Sequence, residues 1–346
     1  MSGRRRATLA VYWAGSCGGC DVALLNIGER LLTLDREFEI AFWPCVADFR
    51  HEDLASRADG SVDLCLLNGA IRTQHDLEMA RLLRRKSRLL VAFGSCAQEG
   101  CVPALANLAA VEALLAAVFL DGTTTVNPQG VVPGTIPEGS RLPALLDAVR
   151  SLDQVVAVDY VVPGCPPESG RVVEVLDLLS AVLASECAFP EPGAVLGAGS
   201  TTVCEECPLE RRELKVKRFL RPYEVVPDAV TCLLGQGLVC SGPATRGGCG
   251  ALCPRVGIGC RGCYGPGEGV EDIGARLTAA LAAVVESGSA TQLPDQLAAE
   301  VEAAMASVVD PAGTLYRYAM AHALRQTARP GPGGPTGTVG HDAHRL

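Results

Sequence analysis

The sequence predicts an α/β fold, a doubly wound parallel sheet followed by a loop-rich, cysteine-dense region and a set of C-terminal helices. Three observations point there. Strands and helices alternate through the first half, regular periodicity largely vanishes between residues 191 and 270, and Ala-rich helical runs return after 270. At 346 residues, 48% of them hydrophobic, the chain can bury a sizeable core and is expected to form two domains.

ATLAVYWA (7–14) is a β-rich apolar run that breaks at Gly15, and DVALLNIGERLLTL (21–34) then carries apolar residues at helical spacing. SVDLCLLNG (61–69) and SRLLVAFGS (87–95) are further strands, with a helix from about His75 to Lys86 between them. QVVAVDYVVPGC (154–165) gives another strand, and ESGRVVEVLDLLSAVLA (168–184) the helix after it. This alternation implies a parallel sheet resembling that of flavodoxin over residues 1–190. EPGAVLGAGSTT (191–202) reads as a linker into the loop-rich domain, 191–270. Helical runs at 271–287, 294–308 and about 314–327 make up a C-terminal helical part, 271–328, and the Gly/Pro-rich end, 329–346, is expected to be disordered.

A formal net charge of −9 and 4% aromatic residues argue against nucleic acid as a partner, which calls for a basic field and stacking platforms. No stretch reaches the roughly 18 uncharged apolar residues that span a bilayer; the longest, Ala106 to Leu120, is interrupted by Glu112. MSGRRR followed by ATLAVYWAG imitates a signal peptide, but its apolar part is short, lacks a small-residue cleavage site and runs straight into a cysteine motif. A twin-arginine leader calls for a longer extension. The expectation is a cytoplasmic protein with no transmembrane segment.

Sixteen cysteines in such a compartment indicate metal or redox chemistry, because cytosolic thiols are kept reduced. Cys17 and Cys20, Cys96, and Cys165 each fall just past the carboxyl end of a predicted strand, where open α/β sheets build their ligand sites. The glycines in GSCGGC, GSC and PGC let backbone approach an inorganic cluster and turn amides toward its sulfides, as a [4Fe–4S] cluster needs. Eight more cysteines fall between residues 204 and 263 and divide into two sets of four: Cys204, Cys207, Cys232 and Cys240, then Cys249, Cys253, Cys260 and Cys263. Cys-x2-Cys pairs also build zinc ribbons, so zinc stays open on spacing alone; the additional thiol tetrad in the first domain counts against it. A loop-rich segment of this length is expected to draw part of its stability from bound metal.

WAGSCGGCDVALLN, AFGSC, VVPGCPP, CEECPLERRELKVKRFLRPYE and CLLGQGLVCSGPATRGGCGALCPRVGIGCRGCYGP together resemble the small subunit of group 3 [NiFe] hydrogenases, above all the methyl-viologen-reducing, F420-non-reducing type, over about residues 7–270. The resemblance implies a proximal [4Fe–4S] cluster on Cys17, Cys20, Cys96 and Cys165, facing a Ni–Fe centre on a separate large subunit. It implies a loop-rich iron–sulfur domain with a distal cluster on Cys204, Cys207, Cys232 and Cys240, and a medial one on Cys249, Cys253, Cys260 and Cys263. Many relatives place a histidine at the position of Cys204 and a proline at that of Cys253; cysteines at both positions here imply three full [4Fe–4S] clusters. No nickel-ligand motif of paired Cys-x2-Cys sites near both termini is present, so H2 is activated on the large subunit and this chain passes electrons to a further electron-accepting subunit, an iron–sulfur or flavin adaptor. Two rival readings are a cluster subunit like that of respiratory complex I, which accounts for one tetrad, and a zinc-stabilised interaction module.

Cys45, Cys65, Cys101 and Cys187 have no place in the tetrads and read as small buried hydrophobes. Cys101, five residues after Cys96, is the one positioned to compete for the proximal cluster. The basic run Arg211, Arg212, Lys215, Lys217, Arg218 and Arg221 reads as a solvated face, and His51, His75 and His322 as surface residues.

Overall fold

Alternate residues of a central strand point to opposite faces, and here both faces are covered. The computed structural model describes residues 6–134, 142–212, 215–286 and 294–323. Its strands are β1 (Ala7–Trp13), β2 (Phe38–Phe42), β3 (Val62–Asn68), β4 (Ile71–Thr73), β5 (Ser87–Phe93), β6 (Leu145–Arg150) and β7 (Tyr160–Val162). Five of them form one parallel sheet in the order β2-β1-β3-β5-β7, and β4 pairs antiparallel with β6. This is the flavodoxin order, with its switch point between β1 and β3.

Helices α1 (Gly19–Leu25), α2 (Leu31–Glu37), α3 (His51–Ala55), α4 (Gln74–Lys86), α5 (Ser95–Glu99), α6 (Val111–Phe119) and α7 (Ser169–Leu183) surround the sheet. Leu9, Val11, Leu64, Leu66, Val91 and Phe93 pack on one face with Leu24, Leu34 and the α7 residues Val172, Val175 and Leu179. Ala10, Cys65, Leu67, Leu90 and Ala92 pack on the other with Leu77, Ala80 and Leu83 of α4. Every residue of β3 is buried, as expected of a central parallel strand.

Several sequence expectations need correction. β2 was not foreseen, because Phe38 caps α2 directly and no turn residue separates helix from strand. The single helix over 21–34 is two helices, interrupted at Asn26 and at Gly28 with its positive φ of 63°. The strand over 154–165 shrinks to β7; Val155, Val156 and Val158 pack on the core without joining the sheet. The linker 191–202 is ordered along the sheet edge, where the Val161 N–H donates to the Ala194 carbonyl (3.1 Å) and Leu196 is buried.

The second half contains α8 (Val203–Glu206), α9 (Leu252–Arg255), α10 (Ile273–Ala282), α11 (Pro294–Ala306), α12 (Pro311–Leu315) and α13 (Met320–Ala323). Val203, Phe219, Leu233, Leu234 and Leu238 share a single apolar core with Ile273, Leu277, Leu281, Ala304 and Val308. The loop-rich segment thus has an apolar core of its own, completed by the C-terminal helices. Met320 and Ala321 of α13 return to the first half and pack with Cys96, Cys101 and Ala104. The expected helical run at 314–327 breaks between α12 and α13, and its end lies outside the described residues, as do residues 287–293 and the tail. Among the described residues no single helix is long and apolar enough to cross a membrane. A bent pair, Ser95–Leu108 with Val111–Phe119, passes on composition alone, and its first arm carries the buried Cys96, Cys101 and Ala104.

Candidate metal centre

Each of the first four cysteines is placed by the end of a strand. Cys17 lies in the turn from β1 into α1 and Cys20 is the second residue of α1, at the switch point; Cys96 is the second residue of α5, just past β5; Cys165 follows β7. Cys20 and Cys96 are buried, whereas Cys17 and Cys165 are exposed. Burial, and after it the thiols of Cys96, Cys165 and Cys17 and the Asp21 carboxylate, push the Cys20 thiol well above its ordinary range. Four thiols therefore share one neighbourhood. Gly94, at φ 86°, could carry no side chain, since a Cβ there would collide with the Cys20 sulfur.

The second set of four lines one cavity. Cys204, Cys207, Cys232 and Cys240 surround it together with Val203, Leu209, Leu233, Leu234 and Pro243. Burial and the thiols of Cys240, Cys232 and Cys207 push Cys204 up to about 12, against the opposing Arg211 guanidinium. In the third set, burial raises Cys263 to about 12, helped by Cys249, Cys165 and Cys253. Burial also raises Cys253 and Cys260, with Cys249 acting on the former and Cys240 and Cys263 on the latter.

The three sets touch end to end. The Ser95 hydroxyl, beside Cys96, donates to the Cys263 carbonyl, which joins the first set to the third. The Cys260 N–H donates to the Cys240 sulfur at 3.2 Å, which joins the third to the second.

These donors fit clusters better than single ions. A zinc ion draws four sulfurs to about 2.3 Å from one point. Among the described residues no three His, Cys, Asp or Glu side chains converge in that way. Grouped thiols, four of them around an apolar cavity, whose neighbours disfavour ionisation of Cys20, Cys204 and Cys263, suit a larger cationic iron–sulfur core that binds every thiolate at once.

Residues not foreseen from the sequence hold these loops. Asp21, 5% exposed, accepts from Trp43 Nε1 (2.9 Å) and Asn68 Nδ2 (2.8 Å), fixing the start of α1 to β2 and β3. Glu206, inside CEEC, accepts from the amides of Gly248 (2.6 Å) and Gly250 (2.8 Å), which flank Cys249. The sequence signal was an acidic residue beside a ligand; the partner cannot be named without the fold.

Of the unassigned cysteines, Cys65 and Cys101 are buried, but Cys45 and Cys187 are exposed, since both fall in surface loops past β2 and α7. Cys101 lies beside the first set: its thiol donates to the Cys165 sulfur at 3.8 Å, holding Cys165 below the ordinary thiol range. The basic run is solvated, with Arg212 paired to Glu210 (2.8 Å) and Arg218 to Glu224 (3.0 Å). His51 and His75 are exposed; His322 is not a plain surface residue, being packed against Glu99 and Asp153.

Comparison with known proteins finds related chains. Residues 17–179 match the family described as NADH ubiquinone oxidoreductase, 20 kDa subunit. The iron–sulfur subunit of the F420-non-reducing hydrogenase of Archaeoglobus profundus is 36% identical over 299 residues, which is 84% of this chain and 90% of that one. A subunit of the F420-non-reducing hydrogenase of Methanothermobacter marburgensis is 32% identical over 321 residues, 91% of this chain and 95% of that one. Among solved structures, a chain of the NAD+-reducing [NiFe]-hydrogenase in the H2-reduced state matches at 33% identity and a TM-score of 0.45, covering 54% of this chain and 96% of that one. Relatives that extend far beyond residue 179 and through the second half show that the chain belongs to the small subunits of group 3 [NiFe] hydrogenases and is a subunit of an oxidoreductase acting on H2.

Proposed function

We propose that this chain relays electrons from H2 oxidation at the Ni–Fe centre of a partner large subunit, through three [4Fe–4S] clusters, to a further electron-accepting subunit, in the cytoplasm. The observation that carries the reading is the end-to-end contact of three cysteine sets, Ser95 to Cys263 and Cys260 to Cys240. Cys17, Cys20, Cys96 and Cys165 would hold the proximal cluster; Cys249, Cys253, Cys260 and Cys263 the medial one; Cys204, Cys207, Cys232 and Cys240 the distal one. Bound there, the clusters supply one-electron carriers whose potentials follow ligand type, hydrogen bonding and exposure.

The chain's own residues have three tasks. Thiolates supply all twelve ligands, backbone amides such as that of Cys260 donate to the sulfurs, and Leu233, Leu234 and Val203 keep water from the distal set. Residues 1–190 carry the proximal set and 191–270 the other two, with the helices of 271–328 covering them. Exposed Cys17 and Cys165, with the exposed apolar Trp13, Val22 and Leu25 of β1 and α1, fit burial of the proximal end under the large subunit.

Iron and acid-labile sulfide, measured per copy of this chain in the purified complex, test the reading. Over and above the iron of the Ni–Fe centre and the content of the acceptor subunit, about twelve of each are expected from three four-iron clusters. About four would favour a complex-I-like subunit with one tetrad, and neither element would leave a zinc scaffold.

A further inference from the structure

One buried carboxyl stands outside every role assigned so far. Glu99 closes α5 three residues after Cys96, the spacing that sets two side chains on the same face of a helix. It is 3% exposed, and its Oε2 has no hydrogen-bond partner. Burying a carboxyl in this way is costly. The carboxyl borders a cavity of about 470 Å3 shared with Asp272, Tyr316 and His322, roomy and polar enough for ordered water.

A line of proton-carrying groups leads from this carboxyl to solvent. His322 Nδ1 lies 4.0 Å from Glu99 Oε1, and His322 Nε2 lies 3.2 Å from Asp153 Oδ1 and 3.0 Å from the Ser151 hydroxyl. Asp153 is 43% exposed. The charged groups that face Glu99 are His322 on α13, Asp153 after β6 and Arg246 in the loop before Cys249, with Glu271 and Asp272 across the cavity at the head of α10. Burial raises the Glu99 pKa to about 7; Asp153 adds to this, and His322 and Arg246 oppose it.

We propose that Glu99 is the proton-accepting site coupled to electron arrival at the Cys17, Cys20, Cys96 and Cys165 set, with His322 and Asp153 its route to solvent. The proposal rests on the reading that those thiols hold a cluster. One electron, supplied by H2 oxidation, adds one negative charge close to Cys96. One proton from solvent, passed by Asp153 and His322, forms an O–H bond on Glu99 and offsets that charge in a medium of low dielectric. Oxidation reverses both transfers.

The test is an EPR-monitored redox titration of the proximal signal in the purified complex at several pH values. In the wild type the midpoint potential is expected to fall as pH rises from about 6 to 8 around the raised carboxyl. In Glu99→Gln it is expected to be flat over that window. A flat wild-type profile, or a slope retained in Glu99→Gln, would overturn the proposal while leaving the cluster assignment intact; absence of any proximal signal in the wild type would overturn both. Should the variant fail to assemble, redox-difference infrared spectra of the wild type decide. A carboxylic-acid band that grows on reduction and shifts in D2O supports the coupling, and its absence refutes it.

Discussion

Glu99 is also a statement about stability. Its folded-state pKa of about 7 lies above the ordinary 4.5, so between those values the folded chain binds more protons than the unfolded one, and stability falls as pH rises through that window. Glu99→Gln removes the titration while keeping the shape. Relative to the wild type, the variant is expected to gain on the order of 3 kcal/mol between pH 4.5 and 7, with little change above. Denaturant midpoints of the purified complex across that range measure it, and a pH-independent difference would show that the carboxyl is not desolvated as described. Asp21 is the opposite case. Both of its oxygens accept hydrogen bonds, from Trp43 and Asn68, so no polar atom of its buried side chain is left without a partner.

Among the elements, four-residue α8 gains its importance from the loop it holds. Glu206 ties CEEC to the amides on either side of Cys249, and two charge-assisted hydrogen bonds of this kind contribute on the order of 3 kcal/mol. Glu206→Ala should leave the proximal signal unchanged and speed iron loss from the Cys249 set to a chelator; equal loss rates in variant and wild type would disconnect the two. This tie also marks where the sequence stopped being legible. The proposed cysteine sets carry local signatures only in part: Cys17, Cys96 and Cys165 lie past apolar strands, and Cys17/Cys20, Cys204/Cys207 and Cys260/Cys263 are Cys-x2-Cys pairs, whereas Cys232, Cys240, Cys249 and Cys253 were grouped by their order along the chain. β1, β3, β5 and α4 could be read from uninterrupted periodicity and, at α4, from the Thr73 cap that accepts from Asp76. β2 could not, since nothing local separates Glu37 from Phe38, and the partners of Asp21, Glu206 and His322 are chosen by tertiary packing alone.

At the scale of the molecule, the cysteine-rich half and the C-terminal helices have one interior. Leu277, 1% exposed on α10, lies in the same core as Cys240 and Cys260. Leu277→Ala should cost about 2–5 kcal/mol, and it should lower the temperature at which the proposed medial and distal sets release iron, although Leu277 is itself no ligand. Iron retention after stepwise heating would show this, and unchanged retention would mean that the helices merely cover the segment. The shared interior also orders events during synthesis. Cys263 is added to the chain before any residue of α10 to α13. At about 5–20 residues per second, roughly 3–12 seconds separate it from the end of α13. Through that interval the eight thiols from Cys204 to Cys263 stand without the walls that later enclose them. Those thiols stay uncovered until the last of these helices closes over them, so their reduced state depends until then on the surrounding medium and not on the fold.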